Sequence, residues 1–347
     1  MGSAGALRNG GQVDRSTTIV SLLRPFEVHM QNPAVTEICV NRPNEIWTEG
    51  SGVWQRHEAD LSLEHMRSLA TAVARYTSND VSETRPILSA VLSGSERAQF
   101  VLAPACEAGT VSMTIRKPSQ IIRTFEQYRV DGFFDRIRPV IDGISAEDRE
   151  LKEDLDAGRI EEFLKKAVRF NKTIIIAGAT GSGKTTFMKS LMQEIPQEER
   201  LITIEDVPEL FLPNHPNHVH LFYPSEAKKE DAAPVTAAVL LRSCLRMKPT
   251  RILLAELRGG ETFDFLNICL SGHGGSITSI HAGSCEQAFD RLGLMVLQNE
   301  EGRTLPYQVI ERLIGDVVDI VVHVHSDGRV RDISQIWFQS DRKQVTA

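Results

Sequence analysis

Cysteine is sparse in this 347-residue chain, and what is present forms no pattern. Cys39, Cys106, Cys244, Cys269 and Cys285 make an odd total of five with no Cys-x-x-Cys step, which excludes a disulfide framework and a zinc ribbon. They read as reduced thiols of a cytosol. Long apolar runs are missing too. No stretch approaches the roughly 18 residues needed to span a bilayer, and the opening MGSAGALRNGGQ lacks the apolar core of a signal peptide. Any membrane attachment is therefore expected through partners. Nor is there an excess of positive charge. With 39 Lys and Arg against 46 Asp and Glu, the net charge of -7 argues against a chain built to wrap nucleic acid, leaving room only for a local basic groove. No internal repeat or low-complexity tract is present, and the Gly/Ser-rich residues 1–15 are expected to be disordered or left over from cloning.

The length suits two domains, and the text changes character near the middle. Residues 16–130 mix helical and antiparallel strand signals. Ser16 to Met30 reads as a short helix broken at Pro25. Thr36 to Val40, Glu45 to Thr48 and Val53 to Arg56 read as strands around the Gly50-Ser51-Gly52 turn. Leu63, Met66, Leu69, Ala70, Val73 and Ala74 have the spacing of a helix's buried face. Three further extended runs, Pro86 to Leu92, Ala98 to Ala103 and Thr110 to Ile115, complete a small α+β domain with no strong chemical motif. Residues 131–158, charged and broken by Pro139, Gly143 and Gly158, read as a linker with some helix.

From 159 to 347 helices and strands alternate, the signature of a mainly parallel sheet covered on both faces. Thr173 to Ala177, Leu201 to Ile204, Ile252 to Ala255 and Ser276 to Ile280 are short continuous apolar runs suited to such burial. Asp319 to His325 and Ile333 to Phe338, around Asp327-Gly328, look like a closing hairpin.

The first of these runs leads into Gly178-Ala179-Thr180-Gly181-Ser182-Gly183-Lys184-Thr185, followed by Thr186, which matches the phosphate-loop pattern without a mismatch between a strand and a helix. Glycines let backbone N–H groups curl around phosphates, and the helix N-terminus adds partial positive charge. Lys184 is expected to reach the β- and γ-phosphates of ATP, and the Thr185 hydroxyl to ligate Mg²⁺. The expected fold class is α/β: a RecA-like P-loop ATPase domain with a mainly parallel sheet, preceded by the smaller α+β N-terminal domain.

Hydrolysis also needs an acid for the metal and a group to orient water. Arg251 to Glu256 places a lone carboxylate after an apolar run, as a Walker B strand does, though the usual Asp-Glu pair is missing. Glu256 is thus expected to act at the metal through water, which leaves the base to be found elsewhere. Leu201 to Asp206, closed by Pro208, offers Glu205. For either acid taken alone, a surface carboxylate at a strand end is the competing reading; the phosphate loop tips both toward function, because ligands bind at the C-terminal edges of such sheets. In the block Ser271 to Gly283, His281 ends another strand and could touch the γ-phosphate, or be an ordinary structural histidine. His273 and His281 have no cysteine at ligand spacing, so zinc is not expected.

Taken in order, the phosphate loop, the Ile204-Glu205-Asp206 box, the lone-Glu Walker B strand and the Gly272-His273-Gly274-Gly275 to His281-Ala282-Gly283 block resemble the secretion ATPase superfamily, which includes type II secretion, type IV pilus and type IV secretion motors. Asn217 to Tyr223 and Leu241 to Pro249 resemble the type IV secretion traffic ATPases in particular, and the tetracysteine element of type II relatives is absent. Over the first half the resemblance is looser and rests on Glu96 to Gln99 and Thr114 to Pro118. It implies a cytoplasmic hexamer, peripheral to the inner membrane through secretion-machine components, with no stable specific nucleic-acid binding. It also implies arginines from the N-terminal domain at the phosphates, for which Arg97 and Arg116 match by motif position. Pilus or type II motors, a RecA-like nucleic-acid translocase and a nucleotide-gated scaffold are the alternatives.

Overall fold

In the computed structural model, residues 15–119, 121–137, 144–224 and 235–340 are described. The expectation of disorder for residues 1–15 falls outside them except for Arg15, as do Pro139 and Gly143 of the expected linker. Contacts group the chain up to Leu102 with Gly109–Pro118 as one unit, and Ala103–Ala108 with everything from Ser119 onward as a second.

The first unit opens with α1 (Arg15–Leu23) and α2 (Glu27–Gln31), joined by a 3-10 turn at Pro25. Strands β1 (Glu37–Val40), β2 (Glu45–Gly50) and β3 (Val53–Glu58) precede α3 (Leu63–Tyr76), and β4 (Ile87–Val91), β5 (Arg97–Leu102) and β6 (Val111–Arg116) follow. The six strands pair antiparallel in the order β3-β2-β1-β6-β5-β4. The Ser62 hydroxyl caps α3 by accepting from His65 N at 3.1 Å, and the apolar stripe read from the sequence, Met66 to Ala74, is buried with Phe26, Phe100 and Met113. β5 and β6 run in register with Arg97 opposite Arg116.

In the second unit α4 (Phe125–Val130), α5 (Ala146–Asp156) and α6 (Ile160–Arg169) lead to β7 (Ile174–Gly178) and α7 (Lys184–Met192). Then come β8 (Leu201–Glu205), β9 (His218–Phe222), α8 (Ala237–Cys244), β10 (Arg251–Leu257), α9 (Glu261–Leu270), β11 (Ile277–His281), α10 (Cys285–Val296), α11 (Tyr307–Val317), β12 (Ile320–Ser326) and β13 (Arg331–Phe338). The seven strands lie in the order β13-β12-β7-β11-β10-β8-β9, all parallel except β13, which closes one edge as an antiparallel hairpin. The continuous apolar runs β7 and β8 are buried along their whole length, as strands covered on both faces must be. At the other edge Phe222 N donates to Ala105 O at 3.0 Å, so residues 103–108 extend this sheet's border.

Part of the segment expected as a linker behaves differently. α5 is capped by Ser145, its Leu151 is fully buried in the core with Phe163, and Asp154 accepts ion pairs from Arg159 (2.7 Å) and Lys166 (2.8 Å). A helix that buries one leucine and otherwise pairs charges reads as solvated text, which hid its membership of the second unit.

The start of the parallel strands is pinned by two fully buried arginines. Arg251 forms a two-pronged bond to Glu199 (2.7 and 2.8 Å) and donates to Val168 O at 2.6 Å, while Arg200 donates to Met247 O and to Asn217 Oδ1. The Arg251 guanidinium also leaves little room for a side chain at Gly275, whose φ of 73° makes the turn into β11. His273 lies in that turn, before β11 begins, whereas His281 ends the same strand. One sequence block thus serves opposite edges of the sheet, with only His281 on the functional one.

Candidate active site

All of β7 is buried, and its last residue, Gly178, delivers the chain into the phosphate loop. A β-carbon on Gly178 would stand 2.5 Å from Val324 O and 2.6 Å from Ser182 Oγ, so only glycine fits there. Gly181 and Gly183 have φ of 76° and 97°, the left-handed region that glycine enters freely, and Gly183 is the N-cap of α7. Ala179, Thr180 and Gly181 are exposed, as a loop that receives a ligand must be, while Ser182 is buried and its hydroxyl has no hydrogen-bond partner. Thr185 and Thr186 follow Lys184 in the first turn of the helix, Thr185 half-buried and Thr186 exposed.

Lys184 folds back into the loop. Its Nζ donates to Gly178 O and Ala179 O, both at 3.0 Å, and to His281 Nδ1 at 3.1 Å. Burial holds its pKa below the ordinary lysine value, with the Glu256 carboxylate opposing that shift. An Nδ1 that accepts leaves the proton on Nε2. That nitrogen lies 2.7 Å from Glu256 Oε1 but off the line of a directed hydrogen bond, so Oε1 is close to a donor and still unbonded. The other oxygen, Oε2, accepts from Arg258 Nε at 2.7 Å, and Arg258 continues to Asp206. Burial would lower the Arg258 pKa, but the two carboxylates outweigh it and raise it. The neighbouring Tyr223 phenol is pushed up to about 12, by burial first and the Asp206 charge second.

The resulting chain, Lys184, His281, Glu256, Arg258, Asp206, alternates donors and acceptors across the C-terminal ends of β7, β11, β10 and β8, which are consecutive in the sheet. Three of the residues expected at the site, Lys184, Glu256 and His281, are therefore brought together. Arg258 and Asp206 were not singled out, although Arg258 follows Glu256 by two residues and an extended strand turns such a pair to one side.

Glu205 stands differently. It is fully buried, Oε1 accepts from Thr203 Oγ1 (2.6 Å) and His220 Nδ1 (3.2 Å), and Oε2 accepts from the backbone N–H of Glu209 and Leu210, both at 2.8 Å. Burial raises its pKa, but the bonds from His220, Thr203 and the two amides outweigh that and hold it below the usual carboxylate value. Expected as the base, it is here the anchor of the turn after β8. His220 gains a role the sequence did not supply: on β9, between His218 and Phe222 in an aromatic row, it steadies that carboxylate. On α8, Arg242 pairs with Asp264 at 2.6 Å.

In the first unit Arg97 and Arg116 are exposed cross-strand neighbours, and Arg116 Nε lies 3.3 Å from Glu37 Oε1.

A glycine-bound phosphate loop feeding a helix, flanked by acids at the C-terminal ends of parallel strands, defines a RecA-like P-loop ATPase. Comparison with known proteins narrows the class. Residues 151–325 match the family described as Type II/IV secretion system protein. Over 337 residues the chain is 57% identical to the type IV secretion system protein VirB11 of Brucella suis, covering 96% of this chain and 93% of that one. It is 44% identical over 336 residues to PtlH, the type IV secretion system protein of Bordetella pertussis, covering 95% and 98%. The crystal structure of the VirB11 ATPase from the Brucella suis type IV secretion system, in complex with sulphate, matches with a TM-score of 0.90 at 54% identity, covering 96% and 98%. The chain belongs to the Type II/IV secretion system protein family, as one of its type IV secretion ATPases.

Proposed function

We propose that this ATPase binds Mg-ATP on the loop 178–186 and that its cycle energises assembly of, or substrate transfer through, a type IV secretion system at the cytoplasmic face of the inner membrane. The observation that carries the chemistry is the charge chain from Lys184 to Asp206, which gathers a cation, a histidine and an unbonded carboxylate oxygen at one loop. Lys184 exchanges the Gly178 and Ala179 carbonyls for phosphate oxygens, and the backbone N–H groups from Gly181 to Lys184 cradle the phosphates beside it. Ser182 Oγ is buried without a hydrogen bond, and Glu256 Oε1 has only the off-line His281 Nε2 beside it, so both suit a hard cation or the waters it keeps. Thr185 and, through water, Glu256 are the residues that would hold Mg²⁺, which when bound neutralises charge on the transferred phosphoryl group. His281 ties the lysine to the acid, so movement of Lys184 toward phosphate is felt at Glu256. Glu205 takes a proton from water only after exchanging its Thr203 and His220 bonds.

Arg97 and Arg116 join this reading as the cations that lower the cost of transition-state charge, a role their exposed positions on neighbouring strands support. Assembly into a ring of six copies is supported by the apolar surface of the segment around α4, where Ile122 is 95% and Phe125 83% exposed, with Phe133 and Ile137 also open. No helix among the described residues is long and apolar enough to cross a membrane, which fits attachment through other secretion components. Sizing the full chain by light scattering, with and without Mg-ATP, tests the ring: a six-copy particle favoured by nucleotide is expected. A monomer that hydrolyses ATP at its full rate under every condition contradicts it.

A further inference from the structure

The closing hairpin does more than cap the sheet. β12 pairs with β7 in parallel, with Val324 opposite Gly178, and brings Val324 O against the start of the phosphate loop. From β13, the Arg331 side chain lies over the end of that loop. Its Cδ, Nε and Cζ are 3.3, 3.7 and 4.0 Å from where a β-carbon on Gly183 would stand. Arg331 is exposed, and among the described residues no carboxylate pairs with it. An arginine normally takes up an acid or water; here it lies beside Gly183, in a loop whose backbone amides have the chemistry to bind anions. Lys184, the loop's own cation, is meanwhile engaged by two carbonyls and His281.

We propose that Arg331 is a nucleotide-binding residue that grips the non-transferred phosphates, the α- and β-groups common to ATP and ADP. The side of the loop decides which phosphates it meets. The sheet order puts β12 and β13 on one side of β7, and β11, β10 and β8, with His281, Glu256 and Asp206, on the other. The transferred phosphoryl group belongs with the acids and the metal, so a cation on the opposite side, beside the amide cradle at Gly183, faces the α- and β-phosphates. Arginine suits the place because its planar fork spans two phosphate oxygens, which lysine cannot do. The hairpin is thereby a second, independent support for bound nucleotide, retained after hydrolysis while the γ-phosphate contacts are lost.

The inference rests on the loop being where phosphate binds, and the test separates the two. Affinities of the full chain for fluorescent ADP and ATP analogues are measured for wild type, Arg331→Ala, Arg331→Lys and Lys184→Ala. Arg331→Ala is expected to weaken ADP and ATP equally, by about tenfold, to raise KM more than it lowers kcat, and to be partly rescued by Arg331→Lys. Unchanged ADP affinity in Arg331→Ala, with Lys184→Ala defective, overturns the role of Arg331 alone. A loss confined to ATP also overturns it, moving the residue to the transferred group. Full ADP and ATP affinity in Lys184→Ala dislodges the loop itself.

Discussion

Glu205 offers the sharpest separation of structural from chemical roles, because its carboxylate is both completely buried and completely bonded. Glu205→Ala leaves the amides of Glu209 and Leu210 without their acceptor, while the Thr203 hydroxyl keeps His220 Nδ1 at 2.7 Å. A buried donor so stranded costs about 1–3 kcal/mol, so the two amides together cost about 4 kcal/mol. Glu205→Gln is gentler. Its amide oxygen can face the two backbone donors and its NH₂ group the Thr203 oxygen and His220 Nδ1, so only the charge assistance of the bonds is lost, about 1–2 kcal/mol. With about 2–4 °C per kcal/mol for a domain of this size, alanine lowers the melting temperature by roughly 8–16 °C and glutamine by roughly 2–8 °C. Calorimetry of the full chain at pH 7 measures both. The pH dependence follows from the direction of the pKa shift. A carboxyl held below its unfolded value of 4.5 contributes its stabilisation fully above that pH and loses it as pH falls through the lower folded value, so the gap between wild type and Glu205→Gln closes on acidification below 4.5. Glu205→Ala melting within 2 °C of wild type would refute the anchoring argument.

Glu256→Gln is expected to keep the fold but lose the Mg²⁺ dependence of ATP binding, which Glu205→Gln retains; a titration of Mg²⁺ against bound nucleotide distinguishes them, and the reverse pattern would exchange their roles. Arg97→Ala and Arg116→Ala should each lower kcat while leaving the melting curve intact, within the roughly 10³-fold or greater effect that an arginine at the phosphoryl group can have; unchanged kcat in both removes them from catalysis. Arg251→Ala strands the Glu199 carboxylate and the Val168 carbonyl, and is expected to destabilise by about 3–5 kcal/mol in chemical denaturation, with near-wild-type stability contradicting the pinned lower edge.

What the sequence made legible was whatever a local backbone demand forces into it. The phosphate loop shows because Gly178, Gly181 and Gly183 occupy positions that a side chain cannot take or takes only with strain. Strands β7, β8 and β10 show because burial on both faces makes them largely apolar, β11 shows less strongly with Thr278 and Ser279 inside it, and Glu256 and His281 are readable as the residues toward the ends of two such runs. Edge strand β9 was less visible, since its alternating burial puts histidines at every second position. The four bonds on Glu205 were not visible at all, because they join β8, β9 and a turn whose mutual approach is a tertiary fact. Arg331 reaches the loop only because β12 chooses β7 as its neighbour, and nothing near Arg331 in the sequence announces that pairing.

On the proposed reading, this one loop and its strand-end partners hydrolyse ATP. Steady-state turnover of Lys184→Ala, purified as the full chain and checked for native circular dichroism, tests it most directly. Removing the loop's own cation is expected to lower the rate by at least about 10²-fold at saturating Mg-ATP. A folded Lys184→Ala protein turning over ATP at the wild-type rate would place the chemistry elsewhere in the chain.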